Sequence, residues 1–132
     1  MMTAHCAGLD LSTTYEAIRI SSGNSFVHET EGQVILNGSR AINFTLDLVV
    51  KDMTLFQTVA DRGGVPLEMS RLVLEIFKDG EKKYGPREWS PNIVRRLEEA
   101  CGHQLLAAGF PSEIVDHEGE EAGEEIVSIS TF

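Results

Sequence analysis

Long apolar runs are missing from this 132-residue chain. None approaches the roughly 20 residues that a bilayer-spanning helix requires, so no transmembrane helix is expected. Cysteine is scarce. Two residues, Cys6 and Cys101, cannot make a disulfide scaffold, and they suit a reducing cytosol. The opening MMTAHCAGLD has neither the basic nor the apolar stretch of a secretory signal, so a cytoplasmic location is expected. Bases are outnumbered, with 11 Lys+Arg against 21 Asp+Glu and a net charge of −10. That balance disfavours nucleic acid and anionic membrane as partners, because both need a basic surface. The 12 glycines form no GxGxxG and no GxxxxGK[ST], so these residues hold no phosphate-cradling loop. HExxH and GxSxG are absent too.

What is present is an ordinary globular composition, 42% hydrophobic. The length fits one domain, and a compact chain of this size buries roughly two-thirds of its unfolded surface. The charge is uneven. Residues 1–109 carry 14 acids and 11 bases, a net of −3. Residues 110–132 carry seven acids (Glu113, Asp116, Glu118, Glu120, Glu121, Glu124 and Glu125) and no base. This shift divides a near-balanced body, 1–109, from an acidic tail, 110–132, that reads as a solvated extension or an arm laid over a neighbour. The apolar, β-branched end of the tail, 126–132, is expected to pack or pair.

The body reads as helices separated by punctuation. Asp10 can cap a helix over about 11–21, ended by Gly23, and Ser25 can cap another running to about Leu36 before Asn37-Gly38. Asn43 or Thr45 opens a long third helix, closed by Gly63-Gly64. Its Leu46, Val49, Met53, Phe56 and Ala60 recur at the spacing of one buried face. Pro66 begins a fourth, with Met69, Leu72, Val73, Ile76 and Phe77 inside and Gly80 or Gly85 as its limit. Ser90-Pro91 caps a fifth, whose stripe is Ile93, Val94, Leu97 and Cys101. Five helices with short links predict an all-α bundle.

Asp52 does not fit a simple amphipathic helix. Leu48 and Val49 lie one turn before it and Leu55 and Phe56 one turn after. A carboxylate in such a stripe must be paired or hydrogen-bonded, and two readings are open: a structural aspartate or a site residue. Lys51 beside it is read as a surface lysine in an i,i+4 pair with Asp47. His5, Cys6, Cys101 and His103 match no zinc-ligand spacing, so no metal is expected. Cys101 reads as a small apolar residue, His28 as a solvated histidine, and Trp89 as a packing anchor.

Four blocks carry a resemblance. They are Ala7-Gly8-Leu9-Asp10, Ser22-Gly23-Asn24-Ser25-Phe26, Phe44 through Met53, and Gly64-Val65-Pro66-Leu67. In order and spacing they are similar to the C-terminal domain of the β-hydroxyacid dehydrogenases, the 3-hydroxyisobutyrate, tartronate-semialdehyde and 6-phosphogluconate dehydrogenase group. The specific part is F-x(6)-K-D-[LM]-x-L followed by A-x(3)-G-V-P-L. The similarity runs from about residue 7 to residue 101.

The resemblance implies an all-helical domain that closes over the nicotinamide and substrate bound to a Rossmann domain, and that forms much of a homodimer interface. It implies NAD or NADP as cofactor and hydride transfer at the CH–OH of a small hydroxy acid. It places Lys51 and Asp52 at the cofactor cleft and Phe26 against the substrate. The Rossmann domain and the GxxGxGxxxKxxxN segment with the general acid/base lysine are not among these residues. Only the last turn of the interdomain helix would fall in 1–7. The resemblance therefore implies that the chain does not turn over alone and binds no cofactor alone. A separately encoded Rossmann domain is an implied partner, and a non-catalytic dimerisation or binding module is the alternative. Three features depart from the family pattern. Glu31 stands where a tyrosine is usual, Glu88-Trp89-Ser90-Pro91 replaces Gly-x-x-Asp-x-Ser, and the acidic tail has no counterpart.

Overall fold

A computed structural model describes residues 1–115 and Gly123. Most of the acidic stretch and the apolar end at 126–132 lie outside the described residues. The described chain is all-α, with six α-helices and one 3₁₀ turn. They are α1 (Met2–Cys6), α2 (Leu11–Arg19), α3 (Phe26–Asn37), α4 (Leu46–Arg62), α5 (Glu68–Tyr84) and α6 (Arg95–Cys101), with the 3₁₀ turn Ser90–Val94 leading into α6. No helix among the described residues is long and apolar enough to cross a membrane.

The polar caps set the helix starts as expected. The Thr13 amide donates to Asp10 Oδ1 at 2.8 Å, and the His28 amide donates to Ser25 Oγ at 3.0 Å. These bonds satisfy donors that a helix N-terminus leaves free. Gly38 ends α3 at φ 90°, a left-handed conformation that costs an L residue about 1–2 kcal/mol. A Cβ there would also lie 2.8 Å from Leu106 Cδ2.

The core forms where α1, α2, α3 and the segment after α6 meet. Met2, Leu11, Tyr15, Leu36 and Leu105 are buried together, with Val94, Ala107 and Phe110 packed against them. The segment after α6 is fastened to α3: the Ala107 amide donates to Leu36 O at 2.9 Å and Asn37 Nδ2 to Phe110 O at 2.8 Å. Ser39 Oγ donates to Ser112 O at 2.7 Å. The start of the tail is thus tied to the body through residue 112.

The helices α4 and α5 pack on each other and on the 3₁₀ turn, away from that core. Here the structure corrects the expected faces. The inward side of α4 buries Leu46, Gln57 and Ala60, with Val49, Val50 and Met53 half-buried, while Phe56 is 60% exposed. On α5, Leu74 and Gly80 are buried, and Met69 and Leu72 point outward. Gly80 does not limit α5. The helix continues to Tyr84, and the glycine sits where a Cβ would come within 2.4 Å of Ile93 Cδ1, so α5 and the 3₁₀ turn approach through it. The fourth helix starts at Glu68 rather than at Pro66. Ser90 is the first residue of the 3₁₀ turn and Trp89 its cap, so the fifth expected helix is split into that turn and α6. Leu97 and Cys101 are exposed.

Candidate functional site

The position of Lys51 and Asp52 follows from how α4 begins. Its cap residue, Thr45, makes no side-chain bond to the helix amides. A strap just before the 3₁₀ turn replaces that bond. The Leu46 amide donates to Glu88 O at 2.9 Å and the Asp47 amide to Pro86 O at 3.0 Å. The Ser90 amide donates back to Phe44 O at 2.8 Å, alongside a bridge between Thr45 and Trp89. Trp89 itself remains 37% exposed, so its backbone does the anchoring. Asp47 is engaged in the same corner. It accepts from Thr45 Oγ1, from the Leu48 amide at 2.9 Å and from Arg87 Nη1 at 3.1 Å. The Thr45 hydroxyl, then Arg87, holds its carboxyl below the usual range.

With Asp47 occupied, the expected Lys51–Asp47 pair does not form. Lys51 Nζ instead meets Asp52 Oδ1 at 2.9 Å, with both side chains more than half exposed. Asp52 is therefore not the buried carboxylate that the apolar residues around it suggest. Those neighbours face outward with it: Leu55, Phe56 and Val59 are all at least 59% exposed. The reason is packing: α4 has α5 and the 3₁₀ turn along one side and open surface along the other. An exposed ion pair of this kind contributes about 0–1 kcal/mol to stability. The fold does not depend on it.

Phe26 opens α3 directly after its Ser25 cap and is 55% exposed. Helices α3 and α4 share no extensive packing surface, so Phe26 and the Lys51–Asp52 pair stand on separate elements.

Residues 1–97 match the family model described as NAD-binding of NADP-dependent 3-hydroxyisobutyrate dehydrogenase. The chain belongs to this family. The match contains Phe26, Lys51 and Asp52 and stops within α6. Over 96 residues the chain is also 32% identical to 2-(hydroxymethyl)glutarate dehydrogenase of Eubacterium barkeri. That similarity covers 72% of this chain and 32% of the relative, so the chain spans about a third of the length of the curated protein it matches.

Within this member of the 3-hydroxyisobutyrate dehydrogenase family, a second feature was not foreseen as a site. A mainly apolar cavity of about 290 Å³ lies between α1, α3 and the start of α6, with Tyr15, Val27, Ile35, Leu97 and Leu105 among its walls. His28 and Glu31 supply its polar edge. His28 is not the solvated residue expected. Its ring stacks on Tyr15 with centroids 4.5 Å apart, and Nε2 donates to Tyr15 O at 3.0 Å. Burial pushes the Glu31 carboxyl above its ordinary value. The signal available in sequence was the departure itself, Glu31 where the resemblance implied a tyrosine.

That shift gives a pH prediction. A raised folded-state pKa favours the protonated form, so the contribution of Glu31 is fully present below the unfolded value near 4.3 and is lost as pH rises through the folded value. Glu31→Gln is therefore expected to raise the Tm at pH 7, with the gain vanishing below about pH 4. Thermal melts of both proteins across that range measure it.

Of the four residues that match no zinc spacing, the two histidines are brought together at the end of α1. His5 and His103 meet edge to face with ring centroids 5.1 Å apart. Among the described residues, no group of three or more His, Cys, Asp or Glu side chains is placed to hold a metal ion.

Proposed function

We propose that the chain is the helical C-terminal domain of an NAD(P)-dependent oxidoreductase that acts on the CH–OH group of a small hydroxy acid. The observation that carries this reading is the Lys51–Asp52 pair. It lies inside the family match, stands exposed on α4, and has no role in holding the domain together. In the proposed cleft, Lys51 supplies positive charge beside the nicotinamide ribose or the substrate carboxylate, and Asp52 orients the ammonium. Phe26 gives an exposed apolar wall to the substrate.

Hydride transfer needs a bound nicotinamide and a group that removes the hydroxyl proton. These residues contain no phosphate-cradling glycine loop. On this reading the 132 residues alone neither hold the cofactor nor turn over, and they work against a Rossmann domain that supplies both functions. NAD or NADP is the cofactor of that assembly.

A second reading, a dimerisation or binding module derived from this domain, is favoured by the outer faces of α4 and α5. Leu55, Phe56, Val59, Met69 and Leu72 are exposed there, and a run of apolar residues on a surface marks an association site. Affinity purification with a tagged chain separates the two. Recovery of a Rossmann-fold subunit, with a Tm that rises on adding NAD(P)H to the purified assembly, supports the dehydrogenase reading. A homodimer with no such subunit and no response to NAD(P)H supports the module.

A further inference from the structure

Cys6 is the last residue of α1 and Cys101 the last residue of α6, 95 positions apart in sequence. The two helices pack on each other at these ends. The neighbouring rings of His5 and His103 are in contact, which fixes the two helix ends side by side. Both cysteines are free and exposed. Desolvation of the sulfur, then the neighbouring Cys101 thiol, pushes the Cys6 thiol above its ordinary value. Both thiols also sit at the negative ends of their helices, which disfavours the thiolate. These are the surroundings of a slow, thermodynamically controlled pair rather than of a reactive nucleophile.

We propose that Cys6 and Cys101 are a redox modification site that closes to an intrachain disulfide and fastens α1 to α6. The oxidant is a small-molecule disulfide such as oxidised glutathione. One cysteine thiolate attacks a sulfur of that disulfide, the S–S bond breaks, and one glutathione thiolate leaves. The second cysteine thiolate attacks the protein-bound sulfur of the mixed disulfide and expels the second glutathione. The protons given up by the two cysteines end on the two glutathione thiols. The protein loses two electrons and the glutathione disulfide gains them. An exposed disulfide of this kind opens again in a reducing buffer.

The crosslink would close a loop of nearly the whole body, and long loops gain most from closure. A Tm increase of roughly 10 °C is expected for the oxidised chain. The test equilibrates the chain with oxidised and reduced glutathione and maps it with trypsin under non-reducing conditions. The expected product is a monomer lighter by two hydrogens, in which peptide 1–19 is joined to peptide 97–132. Its raised Tm should return to the reduced value with dithiothreitol, and Cys6→Ser should abolish the rise. Thiols that stay free, separate glutathione adducts on both cysteines, or chains crosslinked to each other would each overturn the proposal. The peptide map is read on the unmodified sequence, so it stands even where the serine variant folds poorly.

Discussion

Glu98→Ala is expected to destabilise the domain by about 3–5 kcal/mol, read as a lowered midpoint in urea denaturation. Glu98 lies on α6 with its side chain only 8% exposed, and it ties three parts of the chain together. Its Oε2 accepts from Arg40 Nη2 at 2.6 Å, and its Oε1 accepts from the Leu105 amide at 2.9 Å. Its carbonyl accepts from the His103 amide at 3.2 Å. Arg40 is held in the left-handed region at φ 53°, so the loop after α3 is bent to deliver this guanidinium. Truncation to alanine leaves that buried cation with only the longer contact to Asn92 Oδ1 at 3.3 Å, and it frees the Leu105 amide inside the core. Removing one partner of a buried pair costs more than the pair contributes, because the other charge stays desolvated. Glu98→Gln keeps an acceptor for Leu105 and should lose less. A domain of this size has about 5–15 kcal/mol in total, so the alanine variant is expected to be marginal at 37 °C.

Lys51→Ala should do the opposite. In the assembly that contains the cofactor domain, it is expected to lower kcat/KM about 10- to 100-fold, the worth of one hydrogen bond to a charged group. The isolated domain should keep its stability within about 1 kcal/mol, because the Lys51–Asp52 pair is solvent-exposed and α4 is anchored elsewhere, by Pro86 and Glu88. Steady-state kinetics and urea titration on the same variant separate the two effects. A lysine with only a structural role would move the second measurement and not the first. Lys51→Arg keeps the charge and should recover part of the rate.

These two residues also show what the sequence made legible. The caps at Asp10 and Ser25 and the glycine stops at Gly38 and Gly63 rest on local backbone chemistry, and they appear where the residues place them. The face of α4 was not legible. The expected stripe and the observed one share Leu46, Met53 and Ala60 and differ at one position, with Phe56 expected inside and Gln57 found there, while Val49 and Val50 are both half-buried. Hydrophobicity selected the wrong residue, because Leu55 and Phe56 point outward and an inward position is filled by a glutamine. Gln57 reaches Asp61 Oδ1 at 2.8 Å through Nε2, which reduces the cost of burying it. The same error made Asp52 look buried. Periodicity reports which face is apolar, and it identifies the core only where nothing but the core covers that face. The Arg40–Glu98 pair and the contact of His5 with His103 join residues 58 and 98 positions apart, beyond the reach of any local pattern.

The family resemblance lay in short blocks, Phe44 to Met53 above all, and the match over residues 1–97 bears out that membership. Its functional content rests on whether these residues act only as part of a two-domain enzyme. The most direct measurement supplies the purified chain alone with NAD or NADP and a panel of small 3-hydroxy acids, and follows the absorbance of reduced nicotinamide. No cofactor reduction above the protein-free background is predicted for any substrate. Sustained reduction by the chain alone, retained through purification and lost in Lys51→Ala, would contradict the account.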